Sequence, residues 1–191
     1  MNIKQTIEES IRTKQDMLSD AGLLEKIEKT AELLCGVFRS GGKVLFCGNG
    51  GSAADAQHLA AELSGRFYLD RPPLEAEALH CNTSYLTAAA NDYGYGEVYS
   101  RMIQGFGKKG DVLIGLSTSG NSPNILKAVE AAKNREMTAV AFTGSKGGKL
   151  RETADILLNV PSDDVPRIQE SHILIGHILC GLVEERIFGT K

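Results

Sequence analysis

The stretch KVLFCGNGGSAADAQHLAAE, residues 43–62, begins as a short apolar run, bends on Gly48, Gly50 and Gly51, and continues as a helix. Lys43–Gly48 reads as a strand, and strand, glycine loop and helix in that order form the repeating unit of an α/β fold. The rhythm recurs along the chain. DVLIGLS (Asp111–Ser117) and MTAVAFTG (Met137–Gly144) are strong strand candidates, DILLNVP (Asp155–Pro161) is a fifth strand, and EAEALH (Glu75–His80) is a weaker one. Helical segments separate them: Ser52–Ser64, Thr83–Phe106 with a break near Tyr93, Pro123–Asn134, and a short one near Lys149. Continuous apolar strands alternating with helices predict a parallel sheet covered on both faces. Right-handed crossovers then give a doubly wound five-stranded α/β domain.

Two helices are predicted before the first strand. Ile3, Ile7 and Ile11 recur every fourth residue and form one stripe. A second helix spans Leu23–Arg39 and ends at Gly41 and Gly42. A small sheet does not need both, so residues 1–40 are expected to contribute oligomer contacts, and residues 41–191 to form the α/β core with a C-terminal helix. That last helix runs from Pro166 to Phe188, with Asp163 or Asp164 as its cap. Its middle, HILIGHILCGLV, is apolar nearly all round and therefore buried on more than one side. Gly176 and Gly181 would let another backbone come close.

Composition narrows the function. The 191 residues suit one domain, and 42% hydrophobic residues are enough for a core. A formal charge of −3 weighs against nucleic acid as the main ligand. The four cysteines form no C-x-x-C pair and read as buried, reduced thiols. No run approaches the ~18 apolar residues of a membrane span, and the first residues lack an apolar signal core. The expectation is a cytoplasmic protein.

In an open α/β sheet ligands bind at the carboxyl ends of the strands. Two loops there carry chemistry. Gly48-Asn49-Gly50-Gly51-Ser52-Ala53 matches G-x-G-x-x-A, but no acidic residue ends the next strand, where His80-Cys81 stands. The dinucleotide reading therefore lacks its ribose contact. No G-K-[ST] follows, which excludes a P-loop. What remains is a set of exposed backbone N–H groups at a helix N-terminus, which attracts an anion. The second loop, Ser117-Thr118-Ser119-Gly120-Asn121-Ser122-Pro123, places four hydroxyls after the strongest strand. That is more than one helix cap requires. Without a cationic side chain, it suits a phosphate monoester held by hydroxyls, amides and the helix dipole.

On the helix Ser52–Ser64, Ala53, Ala56, Ala60 and Leu63 share one face, and Asp55, His58 and Glu62 another. His58 and Glu62 stand four apart and project the same way. They read either as a solvated polar pair or as half of a metal site. The last helix adds Gln169, His172 and His177. Gln169 and His177 are separated by roughly 12 Å of helix rise, so one ion reaches both only if it sits midway; otherwise different subunits supply them.

Together GNGGSAADAQHLAAEL, AANDYGYGEVYSR, GDVLIGLSTSGNSPN and RIQESHILIGHILCGLVE resemble the phosphoheptose isomerases, a family of sugar isomerase (SIS) domain enzymes, over nearly the whole chain. The resemblance implies a flavodoxin-like SIS domain with two extra N-terminal helices, and a cytoplasmic homotetramer with sites between subunits. It implies conversion of sedoheptulose 7-phosphate to D-glycero-D-manno-heptose 7-phosphate on the way to bacterial surface heptose. It implies one zinc ion per subunit on His58, Glu62, Gln169 and His177. It implies substrate contacts at Asn49, Gly50, Gly51, Ser52, Asn91, Asp92, Ser117, Thr118, Ser119, Ser122 and Gln169. No departure from the family pattern occurs at these positions.

Isomerisation through an enediol needs a base, an acid that protonates the oxygen, and a grip on the distant phosphate. Glu62 is the candidate base and His177 the candidate acid. A carboxylate on zinc is a weaker base, so Glu62 does not serve both roles in one state. The alternative is a non-catalytic SIS tetramer that binds the replication initiator protein; a pure scaffold has no need of the set His58, Glu62, Gln169 and His177.

Overall fold

The computed structural model describes residues 2–189. Helix α1 covers Ile3–Ser19 and α2 Ala21–Arg39; Asp20 lies between them, and its carboxylate accepts from Leu23 N–H to cap α2. The sheet comprises β1 (Val44–Gly48), β2 (Ala76–Ala78), β3 (Val112–Leu116), β4 (Thr138–Thr143) and β5 (Ile156–Asn159). All pairings are parallel, in the order β2-β1-β3-β4-β5. The weak strand at residues 75–80 is only three residues long, and it sits at an edge where one neighbour suffices. Helix α3 (Gly51–Ser64) follows β1. Helices α4 (Thr83–Tyr93) and α5 (Val98–Phe106) flank a 3-10 turn at Tyr95–Glu97, where the break was expected. Helix α6 is Pro123–Asn134, α7 Leu150–Thr153 and α8 Val165–Phe188.

Alternation along the strands feeds two cores. Val44, Phe46, Val112, Ile114, Val140 and Phe142 point to the side covered by α2, α3 and α8. Leu45, Cys47, Leu113, Ala139 and Ala141 point to the side covered by α5, α6 and Leu150 of α7. The chain moves one way from β1 to β2 and the other way from β3 onward. Right-handed crossovers require the helices to change faces when direction changes, and the two cores obey this. The reversal leaves a crevice between the carboxyl ends of β1 and β3, where the two chemistry-bearing loops emerge.

The N-terminal helices differ from the expectation. Leu23, Ile27, Ala31, Leu34 and Val37 of α2 are buried in the sheet core, so α2 is not surplus. Only α1 leaves an apolar stripe free: Ile3, Ile7 and Ile11 are 78%, 56% and 51% exposed. It is tethered by Glu170 of α8, which accepts from Ser10 Oγ at 2.7 Å and from Lys14 Nζ at 3.0 Å. Two smaller expectations also change. Asp164 stands at the N-cap of α8, but its side chain makes no capping bond. Cys35, Cys47 and Cys180 are buried, whereas Cys81, in the turn after β2, is exposed. Among the described residues no helix is long and apolar enough to cross a membrane.

Candidate active site

The first loop is shaped by its glycines. Gly50 adopts φ +55°, which L side chains avoid, and a side chain on Gly48 would meet the Ser52 carbonyl at 2.3 Å. Asn49 lies between them. Its side chain meets that of Asn124, in the first turn of α6, through two reciprocal amide bonds of 2.9 and 2.8 Å. The hydroxyl of Tyr95 donates to Asn49 Oδ1 at 3.3 Å. Tyr99 O–H donates to the Gly48 carbonyl, and burial raises this phenol's pKa far above the usual range. Ser52 is buried in the first turn of α3.

The second loop turns on Gly120, whose N–H donates to the Ser117 carbonyl. The Ser117 and Ser122 hydroxyls meet at 3.0 Å, so the two ends of the loop share a proton donor. Thr118 is half-buried and Ser119 exposed. The loop after β4 supports this one: Gly144 N–H donates to the Thr118 carbonyl and Leu150 N–H to the Gly120 carbonyl. Asn91 and Asp92 lie on the exposed last turn of α4, bonded to each other at 2.9 Å.

Helices α3 and α8 run side by side in the same direction. Gly51 meets Gln169, Leu59 meets Gly176, and His58 meets His177. The close approach depends on Gly176, where an added side chain would come within 2.4 Å of both Leu59 methyls. The neighbour that Gly176 admits is thus a leucine side chain of the same chain. Gly181 faces the Phe67 and Tyr68 rings instead.

This packing gathers three of the predicted ligands. His58 Nε2 lies 3.0 Å from His177 Nε2 and 3.2 Å from Glu62 Oε1, and ligand atoms of all three residues fall within 4.8 Å of one another. A zinc ion with bonds near 2.0–2.1 Å separates tetrahedral ligands by roughly 3.3 Å. The donor set therefore fits zinc: His58 Nε2 faces a second ring nitrogen and a carboxylate oxygen at once, and one N–H satisfies only one of them. Gln169 does not join this group within the chain. Its amide lies over Gly51, with Nε2 2.5 Å from where a Cβ would stand, about 10 Å of helix rise from the level of His58. Asp55, one turn before His58, is half-buried, and its Oδ2 has no hydrogen-bond partner. Burial raises its carboxyl pKa, opposed by the nearby His58 and His177.

Residues not singled out from sequence hold the cluster. Glu184, two turns after His177, accepts from the N–H groups of Phe67, Tyr68 and Leu69 and from Arg71 Nε. Arg71 also donates to the Glu62, Leu63 and Gly65 carbonyls, filling orphan acceptors at the end of α3. Phe67, so positioned, stacks on the His177 ring with centroids 5.4 Å apart. The one signal in sequence was a glutamate inside GLVEERIF, at the buried end of an apolar helix. A groove of about 870 Å³ opens beside His177, lined by Tyr68, Leu69, Leu174 and Ile178 among others. His172, by contrast, is a core residue: fully buried, it donates from Nε2 to the Thr143 carbonyl.

Comparison with known proteins agrees with this architecture. The sequence profile of the SIS domain matches residues 7–144. The phosphoheptose isomerase of Burkholderia pseudomallei (strain 1710b) is 56% identical over 189 residues, covering 99% of this chain and 96% of that protein. The structure of phosphoheptose isomerase GmhA from Neisseria gonorrhoeae superposes with a TM-score of 0.90 at 46% identity, covering 96% of this chain and 97% of that one. That of a phosphoheptose isomerase from Francisella tularensis gives a TM-score of 0.92 at 40% identity, covering 96% of each chain.

Proposed function

The chain belongs to the phosphoheptose isomerase family of SIS-domain enzymes, and we infer that it converts sedoheptulose 7-phosphate to D-glycero-D-manno-heptose 7-phosphate. The observation that carries the mechanism is the meeting of Glu62, His58 and His177 across α3 and α8. The non-catalytic alternative, a tetramer that binds the replication initiator, is not favoured, since relatives at this identity are isomerases and the acid–base groups are present.

In this reading the Ser117–Ser122 loop holds the phosphate through hydroxyls and backbone amides and sets the orientation of the sugar. Gly50, Gly51 and Ser52, at the N-terminus of α3, and Asn49, Asn91, Asp92 and Gln169 contact its oxygens. Glu62 removes the proton from C1 while His177 protonates O2, giving the enediol. Glu62 then returns a proton to C2, and the O1 hydroxyl gives its proton to His177, leaving the aldehyde at C1. Zinc, when held by His58, Glu62 and His177 with Gln169 of a neighbouring subunit as the fourth ligand, would polarise the carbonyl oxygen; Glu62 and His177 act as base and acid only when off the ion.

The anion loops and the Glu62 cluster stand at opposite ends of α3, roughly 16 Å apart in rise. That separation supports a homotetramer in which neighbouring subunits complete each site. So do the exposed stripe of α1 and the apolar Leu174 and Ile178 beside His177, which are 37% and 39% exposed. The enzyme would work in the cytoplasm, at an early step toward surface heptose.

The test is turnover of sedoheptulose 7-phosphate by purified, zinc-loaded protein, with the aldoheptose phosphate identified by NMR. Absence of product from folded, metal-replete protein would defeat the reading. Glu62→Gln is expected to abolish turnover yet still bind the substrate; a near-normal rate would remove Glu62 as the base.

A further inference from the structure

We propose that Asn124 is a positioning residue for the isomerisation, acting on the substrate only through Asn49, with Tyr95 as its assistant. The proposal rests on the reading of Asn49 as a substrate contact and adds what holds that contact in place.

Asn49 has little to hold it locally. It lies between a tightly packed glycine and one at φ +55°, and the terminal torsion of an asparagine side chain is broad and nearly free. The two-fold bond to Asn124 changes this. Two reciprocal hydrogen bonds, 2.9 and 2.8 Å long, hold the Asn49 amide against that of Asn124, and the Tyr95 hydroxyl occupies a further position at 3.3 Å. A primary amide offers two donor and two acceptor positions. Three of the four on Asn49 are thereby filled by the protein, and one remains for a ligand.

Asn124 has no competing duty. Asn124 is only 3% exposed, and among the described contacts the sole hydrogen-bond partner of its side chain is Asn49. It does not cap α6, which begins at Pro123 behind Ser122. Burying an amide costs free energy unless it is paired, and here the pairing serves a residue of the other loop. The pair also bridges the crevice between β1 and β3: Asn49 follows β1, and Asn124 follows the serine-rich loop after β3. Tyr95 reaches in from a third segment, the turn between α4 and α5. The loop assigned to the phosphate and the loop assigned to the sugar oxygens are thus locked in register by one amide pair.

A double-mutant cycle on kcat/KM for sedoheptulose 7-phosphate tests this. Asn49→Ala and Asn124→Ala are each expected to lower kcat/KM by on the order of 10-fold, and the double variant to lose no more than Asn49→Ala alone. Fold-changes that multiply would show an independent or merely structural role for Asn124 and overturn the proposal. So would an unchanged kcat/KM in Asn124→Ala while Asn49→Ala is impaired. An unimpaired Asn49→Ala would instead remove Asn49 as a substrate contact, and the proposal with it, while leaving the isomerase reading intact. Tyr95→Phe serves as a second probe that leaves the buried Asn124 amide in place: it deletes one hydroxyl from a 51% exposed residue. It is expected to lower kcat/KM about 2- to 5-fold in the parent and to have no effect in the Asn49→Ala background. An equal loss in both backgrounds would overturn the proposal.

Discussion

His58 and His177 are 119 residues apart in sequence, yet their Nε2 atoms lie 3.0 Å apart and their rings meet edge to face. With Glu62 at 3.2 Å from His58, this contact forms a site that neither helix presents alone.

Metal content should follow that geometry. The parent protein, loaded with zinc and dialysed, is expected to retain about one ion per chain, as four-coordinate sites do, and His58→Ala and His177→Ala little. Atomic emission reads this directly. Variants that keep the parent's zinc content would place the ion elsewhere.

Gly176→Ala should disturb the same site from a distance. The new methyl would sit 2.4 Å from Leu59 side-chain carbons, forcing α3 and α8 apart. Overpacking of this kind costs about 1–3 kcal/mol, measurable by urea denaturation. Zinc affinity, read by calorimetry, is expected to fall as His58 leaves His177; unchanged affinity would show that the helices need not touch here.

Removing one partner of the Arg71–Glu184 pair should be costlier. Both side chains are 2% exposed, so Glu184→Ala leaves a buried guanidinium without its counter-charge and strands three backbone N–H groups. The expected loss is roughly 3–5 kcal/mol by chemical denaturation. Burial alone would raise the Glu184 pKa, but the Leu69, Phe67 and Tyr68 N–H groups and Arg71 outweigh it and hold it below the ordinary 4.5. This stabilisation is present above pH 4.5 and is lost as pH falls through the lower folded value.

His172 supplies a second acid-sensitive contribution. Burial lowers its pKa from 6.5 to about 4, so the folded chain keeps it neutral where the unfolded chain would protonate it. Stability is therefore full above pH 6.5 and declines as pH falls toward 4, by on the order of 3 kcal/mol. His172→Gln, which keeps a donor for the Thr143 carbonyl, is expected to show a flatter stability profile over that window in thermal melts. A profile as steep as the parent's would assign the acid sensitivity to other groups.

The sequence by itself determined the elements and their order. The continuous apolar runs of β3 and β4, the glycine stop after α2 and the proline start of α6 are local signals, carried by neighbouring residues. The spacing of His58 and Glu62 is local in the same sense, because one helical turn brings them together. The pairing of His177 with His58, the separation of Gln169 from that cluster, and the bond between Asn49 and Asn124 were decided only by the tertiary structure. They depend on how α3 registers against α8 and how two loops meet over a sheet, and that register is set by packing at Gly176 and Leu59. Glu184 makes the same point: on a helix wheel it interrupts an apolar face, and only the folded loop from Phe67 to Arg71 supplies the donors that make its burial favourable.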